Sequence, residues 1–167
     1  MRIALWIGLG LVSLVAVIAI VGWLLPVGHV ASRTAAVGRP PADVYALVAD
    51  VASYSQWWSG ISKVEMLPAE PGVVRFREHM TSGAVVMEVV EAVPPQRFVT
   101  RIADPDQPFG GTWTFEIAPA PHGSRLRISE DGEIYNPLFR FMARFVFGYE
   151  GTINAYLAAL EAKFHGL

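Results

Sequence analysis

The sequence predicts an α+β protein: one apolar helix at the N-terminus, then an antiparallel sheet of six to seven strands packed against a long C-terminal helix. Three observations support this fold class. The first 25 residues contain a long uncharged stretch, short β-compatible runs separated by turn residues fill the middle, and the last 30 residues carry apolar side chains at helical spacing. We predict an anchor over residues 1–27 and one domain over residues 28–167, since about 140 residues is an ordinary domain length.

The N-terminal stretch from Ala4 to Leu25 has 22 residues and no charge, and a helix of about 20 such residues crosses a bilayer. Thirteen of them are Leu, Ile or Val, which together favour insertion by about 4 to 8 kcal/mol. A cleaved signal peptide has a shorter apolar core and a small-x-small cleavage site, which residues 26–31 match poorly. We therefore predict a transmembrane helix with Trp6 and Trp23 near the headgroups.

Basic residues flank both ends of this segment, Arg2 before it and Arg33 and Arg39 after it. Because positive charge favours the cytoplasmic side, this near balance leaves the orientation weakly determined. We expect a single-pass protein of a bacterial plasma membrane with the domain outside the cytoplasm.

The middle of the chain reads as one strand, two short helices and a run of strands. Residues 30–37 suit a strand, and prolines at 40 and 41 favour a helix start, with apolar residues at helical spacing from Val44 to Val51. Residues 54–58 indicate a second short helix or turn. Gly and Pro turns then separate six strand-like runs, which predict an antiparallel meander: residues 61–67, 73–80, 84–93, 97–103, 112–118 and 124–135.

The last element is predicted as one helix of about 28 residues, some 40 Å long. Asn136 and Pro137 are favourable at its start, and an apolar stripe runs from Leu138 to Phe164. Such a stripe needs a large apolar partner. The concave face of the predicted sheet is the one candidate of sufficient size.

Composition excludes several classes of function. The net charge is −2 without a basic cluster, so nucleic acid is not an expected partner. The chain has no cysteine and none of the common hydrolase, phosphate-loop or dinucleotide motifs. The histidines lie at spacings that no metal site predicts, and we expect no metal and no organic cofactor. His29, His122 and His165 are expected to be exposed.

Four segments resemble a known family: residues 40–45, 50–58 (with Tyr54, Trp57 and Trp58), 110–115 and 136–141. From about residue 30 to the end, the chain resembles the START-like superfamily, also called SRPBCC, with its polyketide cyclase/dehydrase and lipid-transport branch. The resemblance implies a helix-grip fold, in which a curved sheet surrounds a long C-terminal helix. Members bind lipids, sterols, polyketides, plant hormones or quinones, and some are enzymes, so the resemblance determines the fold better than the function.

Strand alternation indicates which side chains face a cavity between sheet and helix. It groups Phe76 with Glu78, Trp113 with Phe115, and Glu130 with apolar neighbours. On the run at residues 84–93, Glu88 also falls inward, although Met87 competes for that face. The glutamates are interpreted either as polar contacts for a ligand, one of them a possible general acid or base, or as outward partners of Arg75, Arg77, Arg101 or Arg127. A register error of one residue separates the two interpretations.

Aromatic side chains have the same two interpretations, a pocket wall or ordinary core packing. With the glutamates, they complete the ten predicted ligand-binding residues: Trp57, Phe76, Glu78, Glu88, Trp113, Phe115, Glu130, Phe141, Phe145 and Tyr149. A second group on the final helix, Phe139, Val146 and Phe147 with Arg140 and Arg144, either lies on a membrane surface or packs against neighbouring loops.

We expect binding of a small hydrophobic molecule, such as a lipid, isoprenoid, quinone or polyketide, by a membrane-anchored domain. One alternative is an enzyme of the cyclase/dehydrase type that uses an inward glutamate. The other is a non-catalytic interaction module whose cavity is collapsed. No protein partner is indicated.

Overall fold

The computed structural model describes residues 2–166, and the surroundings of side chains from residue 6 onward. Its helices are α1 (Arg2–Leu24), α2 (Pro41–Ala49), α3 (Tyr54–Trp57), α4 (Pro137–Met142) and α5 (Gly151–His165). A 3₁₀ turn covers Val51–Ser53, and a π-helical segment covers Ala143–Phe147. The strands are β1 (Gly28–Val37), β2 (Lys63–Leu67), β3 (Val74–Met80), β4 (Gly83–Val93), β5 (Arg97–Ile102), β6 (Phe109–Ala120) and β7 (Gly123–Ile134).

All seven strands form one antiparallel sheet in the order β1-β7-β6-β5-β4-β3-β2. Strands β2 to β6 each pair with the next in sequence, and β1 pairs with β7 across ten residue pairs. The predicted α+β helix-grip architecture, a curved antiparallel sheet around C-terminal helical structure, is confirmed.

Helix α5 covers the inner face of the sheet. Ile153, Tyr156 and Leu160 recur on one side of this helix and are at most 1% exposed. They meet the inward residues of the strands, among which Phe115 and Ile128 are fully or almost fully buried. This apolar contact therefore holds helix and sheet together, as the helical periodicity of the sequence predicts.

The C-terminal helix is not continuous, and this part of the prediction was wrong. Helix α4 and the π-helical segment end at Gly148, whose φ of 74° is readily adopted by glycine alone, and α5 begins three residues later. The apolar spacing continues on both sides of Gly148, so the sequence pattern hides the break. The apolar stripe therefore does not face the sheet along its whole predicted length: Leu138 and Phe145, before the break, are exposed.

Helix α1 is long and apolar enough to cross a membrane, with a mean hydropathy of 2.6 over Trp6–Leu24 and 6% of that window buried. Membrane anchors and signal sequences share these properties. Its C-terminal end packs on α4: a Cβ on Gly22 would overlap the carbonyl group of Pro137. Arg140, which is 7% exposed, donates a hydrogen bond of 2.7 Å to the Leu25 carbonyl, so the end of α1 is joined to the domain.

Candidate ligand-binding site

A cavity of about 450 Å³ lies between the inner face of the sheet and the α4–α5 region. Strands β3 to β7 form its floor, and α3, α4, the π-helical segment and α5 form its walls. The lining is mostly apolar and aromatic, including Phe76, Val85, Met87, Trp113, Phe115 and Tyr156, with a small number of polar side chains among them. This size and composition are typical of small-molecule sites.

Six of the ten predicted residues line this cavity: Phe76, Glu78, Trp113, Phe115, Glu130 and Tyr149. The inward positions on β3, β6 and β7 follow the alternation that the sequence predicts. Trp113 and Glu130 are direct cross-strand neighbours on β6 and β7, so their side chains meet on the same face.

Glu88 lies on the outer face of the sheet, and its predicted inward orientation was wrong. On β4 the buried residues are Val85 and Met87, which places Glu88 opposite. Its two carboxylate oxygens each pair at 2.8 Å with a cross-strand arginine, Arg75 on β3 and Arg101 on β5. The hydrogen bond from Arg75 lowers the pKa of Glu88, as expected for a surface ion pair.

Trp57, Phe141 and Phe145 do not line the cavity. Trp57 packs edge-on against Tyr156, with ring centroids 5.3 Å apart, while its neighbour Trp58, 8% exposed, turns towards the cavity instead. Adjacent residues on a helical turn point in different directions, which explains why Trp58 lines the cavity and Trp57 does not. The ring of Phe141 packs against that of Phe145, with centroids 4.9 Å apart and an interplanar angle of 49°, on the helical region before the break at Gly148.

His29 was predicted to be exposed, and it instead lines the cavity. Its ring stacks on Tyr149, with centroids 4.1 Å apart and an interplanar angle of 18°. Its Nε2 lies 3.9 Å from Oε1 of Glu130. The signal in the sequence is alternation on β1, where His29 shares a face with Ala31, which is buried.

Tyr156 and Tyr54 are two further cavity residues that the sequence reasoning missed. The Tyr54 hydroxyl donates a 2.6 Å hydrogen bond to the Val48 carbonyl. The Tyr156 hydroxyl is fully buried and makes no hydrogen bond of good geometry among the described residues, although the Tyr54 hydroxyl is close enough to interact with it. Burial raises the pKa of both phenols far above the ordinary value, so both are neutral donors. The ring of Tyr156 is held between aromatic neighbours at 5.0 to 6.1 Å: Tyr54, Trp57, Trp58, Trp113 and Phe115.

Burial disfavours the charged form of the titratable groups in the cavity. Glu78 is 8% exposed, and burial raises its pKa to about 7. Burial also raises the pKa of Glu130, an effect that the indole N–H of Trp113 opposes. The pKa of His29 is lowered by burial, against the opposing charge of Asp131. Glu78 can therefore donate or accept a proton near neutral pH.

At α4 and the π-helical segment, the cavity is lined by Phe139, Met142, Ala143 and Phe147. Because Phe139 and Phe147 are also exposed, we assign the mouth of the cavity to this end. Aromatic and aliphatic side chains surround it and face outward: Phe139, Phe145, Val146 and Phe147 are between 53% and 72% exposed. These four residues, here called the mouth patch, lie on α4 and the π-helical segment. Since α4 also contacts the end of α1, the mouth patch lies beside the point where the apolar helix ends.

Solved structures share this architecture at low sequence identity. The di-domain ARO/CYC StfQ from the steffimycin biosynthetic pathway aligns with a TM-score of 0.67 and 14% identity over 84% of this chain, which spans 53% of StfQ. The Zhui aromatase/cyclase from Streptomyces sp. R1128 aligns with a TM-score of 0.64 and 15% identity over 81% of this chain and 93% of that one. A START superfamily protein from Mycobacterium smegmatis aligns with a TM-score of 0.63 and 20% identity over 81% and 96%.

No functionally curated protein matches the chain in sequence. The family described as polyketide cyclase/dehydrase and lipid transport matches residues 29–165. That match extends from the start of β1 to the end of α5 and thus includes the sheet, the cavity and its mouth. The chain belongs to this START-like SRPBCC family of polyketide cyclase/dehydrase and lipid-transport proteins.

Proposed function

We propose that the chain binds a small hydrophobic molecule in the cavity between the sheet and the C-terminal helices, while residues 1–27 anchor it to a membrane. The observation that carries the proposal is the cavity itself: about 450 Å³, mostly apolar, with a few polar groups converging on it. A ligand that buries about 300 Å² of apolar surface gains about 7 kcal/mol, less the cost of immobilising it. A lipid, isoprenoid, quinone or polyketide fits this description.

The position of the mouth supports the membrane part of the proposal. Helix α1 is apolar from Trp6 to Leu24, and it ends against α4, one of the elements that form the mouth. With α1 in a bilayer, the mouth patch lies at the headgroup level, where aromatic side chains are favoured. A water-insoluble ligand then passes between bilayer and cavity without crossing water. We place the chain in a bacterial plasma membrane with its domain on the extracytoplasmic side.

A second candidate function is catalysis of the cyclase/dehydrase type. It is favoured by two carboxyl groups whose pKa values burial raises, the buried Glu78 and the half-buried Glu130. Glu78, with a pKa of about 7, can move protons at neutral pH. Under this alternative, Glu78→Gln and Glu130→Gln retain ligand binding and lose turnover. An interaction module with a collapsed cavity is disfavoured by the open volume.

The test is native mass spectrometry of the full chain, purified from its membranes in a non-ionic detergent, with extraction and identification of any bound molecule. We expect a stoichiometric hydrophobic passenger. Thr152→Trp, an exposed substitution at the cavity wall, should displace it. Asn154→Trp, also exposed on α5 but outside this cavity, is the matched control and should retain it. An empty chain that also takes up no retinol would contradict the proposal.

A further inference from the structure

The cavity has an asymmetric charge. Three carboxyl groups line it, Glu78, Glu130 and Glu133, while none of its described lining residues is Arg or Lys. Its single basic side chain, His29, has a pKa lowered by burial and is therefore neutral at neutral pH. An anionic group inside the cavity would meet carboxylates of its own sign with no cation to balance them.

Three arginines on neighbouring elements have other partners. Arg75 and Arg101 bind Glu88 on the outer face of the sheet. Arg140, beside the mouth, donates hydrogen bonds to the carbonyl groups of Leu25 and Tyr135. None of these guanidinium groups is directed to the ligand space, because each side chain is held by a carboxylate or by backbone carbonyls.

Polar groups inside the cavity have unused hydrogen-bonding capacity. The buried Nδ1 of His29 has no hydrogen-bond partner within the described part of the chain. The buried hydroxyl of Tyr156 makes no hydrogen bond of good geometry there, and the polar group that acts on it is the hydroxyl of Tyr54. Both residues line the cavity beside an acceptor: Glu78, whose charge acts on Tyr156, and Glu130, 3.9 Å from the His29 ring. Buried polar groups without partners are costly, and a ligand hydroxyl supplies both a donor and an acceptor.

We propose that the cavity selects uncharged amphiphiles with a hydroxyl group, such as long-chain or polycyclic alcohols and phenols, and rejects fatty acids and other anionic lipids. This selectivity rests on the proposed function and specifies its ligand class. The hydroxyl donates to a cavity carboxylate and accepts from Tyr156 or His29. A ligand carboxylate can accept from Tyr156 or His29 but cannot donate to a cavity carboxylate. It also adds like-charge repulsion, which costs more than tenfold in affinity when desolvated.

Three probes with nearly the same apolar body test the inference: retinol, retinyl methyl ether and retinoate. Binding to the full chain is measured at pH 8.5 in one non-ionic detergent by energy transfer from tryptophan to the retinoid. A common Trp6→Phe/Trp23→Phe background removes the two tryptophans of α1, so that the signal comes from Trp57, Trp58 and Trp113. We expect retinol to bind most tightly, retinyl methyl ether about threefold to tenfold more weakly, and retinoate at least about tenfold more weakly.

Two variants separate the cavity charge from the rest of the protein. Glu78→Gln should improve retinoate binding at least about fivefold, because a like charge is removed, and should leave retinyl methyl ether unchanged. Glu88→Gln, on the outer face, should change none of the three affinities. Retinoate affinity equal to or above that of retinol, or an ether that binds as well as the alcohol, would overturn the inference and leave the proposed function intact. If none of the three binds, the proposed function fails as well.

Discussion

Replacing Glu78 by Gln should remove a pH-dependent loss of stability. Burial raises the pKa of Glu78 from its ordinary value of 4.5 to about 7, so the folded state holds this proton more tightly than the unfolded state. The free energy of unfolding therefore falls as the pH rises from the unfolded pKa through the folded one. Since each pKa unit corresponds to about 1.4 kcal/mol, the contribution of this group is about 3 kcal/mol, lost between about pH 4.5 and pH 8.

Glutamine has nearly the same shape and no charge, so the variant should match the original chain at pH 4.5. At pH 8.5 it should be more stable by up to about 3 kcal/mol. The assay is urea unfolding of the full chain in a non-ionic detergent, followed by tryptophan fluorescence at half-unit pH steps. The difference between variant and original is the quantity of interest, because the contributions of Glu130 and His29 cancel in it.

Glu88→Gln is the matched control, because Arg75 and Arg101 lower the pKa of that carboxyl group. Its contribution has the opposite sign: Glu88 stabilises the folded state at neutral pH, and the effect disappears as the pH falls through its folded pKa. A difference between Glu78→Gln and the original chain that is constant from pH 4.5 to 8.5 would refute the burial argument for Glu78.

Three further predictions concern the cavity, the anchor and the mouth. Trp113→Ala should weaken retinol binding by at least about tenfold. It should cost less stability than Phe98→Ala, a buried position outside the cavity whose truncation costs about 3 to 5 kcal/mol. Equal losses of stability would show that Trp113 is an ordinary core residue. A chain that begins at Leu25 keeps the carbonyl group bound by Arg140 but lacks α1. It should be soluble and monomeric in size-exclusion chromatography. Co-sedimentation of this shortened chain with vesicles would show a second membrane contact. Phe145→Ser should slow retinol uptake from vesicles by up to about tenfold without changing the affinity for retinol. The control Val30→Ser, exposed on β1, should leave the uptake rate unchanged. Equal slowing by both variants would exclude a specific role of the mouth patch.

The sheet could be predicted because its strands carry a strict alternation. On β3 and β6, Phe76 and Phe115 stand between polar neighbours, so one register alone buries the apolar face. Strand β4 lacks this contrast: apolar side chains occur on both of its faces, and the sequence does not say whether Glu88 or Met87 is inward. The arginines that pair with Glu88 on the outer face belong to the neighbouring strands. Which residues face each other across strands depends on the tertiary structure and is not visible in the pattern of one strand.

The helix break and the position of His29 could not be predicted for related reasons. Gly148 stands within an apolar spacing that is consistent with a continuous helix, and its positive φ depends on how α4 and α5 pack. His29 directly follows the apolar stretch, where exposure is the natural expectation. Its environment is created by Tyr149 and Glu130, more than 100 positions away. Local patterns carry no information about such contacts.

The short connection between α1 and β1 limits how far the domain can travel. Only three residues, 25–27, separate the two elements, a span of about 10 Å when fully extended. Two of their carbonyl groups are already bound, Leu25 by Arg140 and Val27 by the amide of Ile134, so the connection is a stiff joint. Under the proposed membrane anchoring by α1, a domain held in this way has no reach to a second membrane. An acceptor of the proposed ligand would then have to come to the leaflet in which α1 ends.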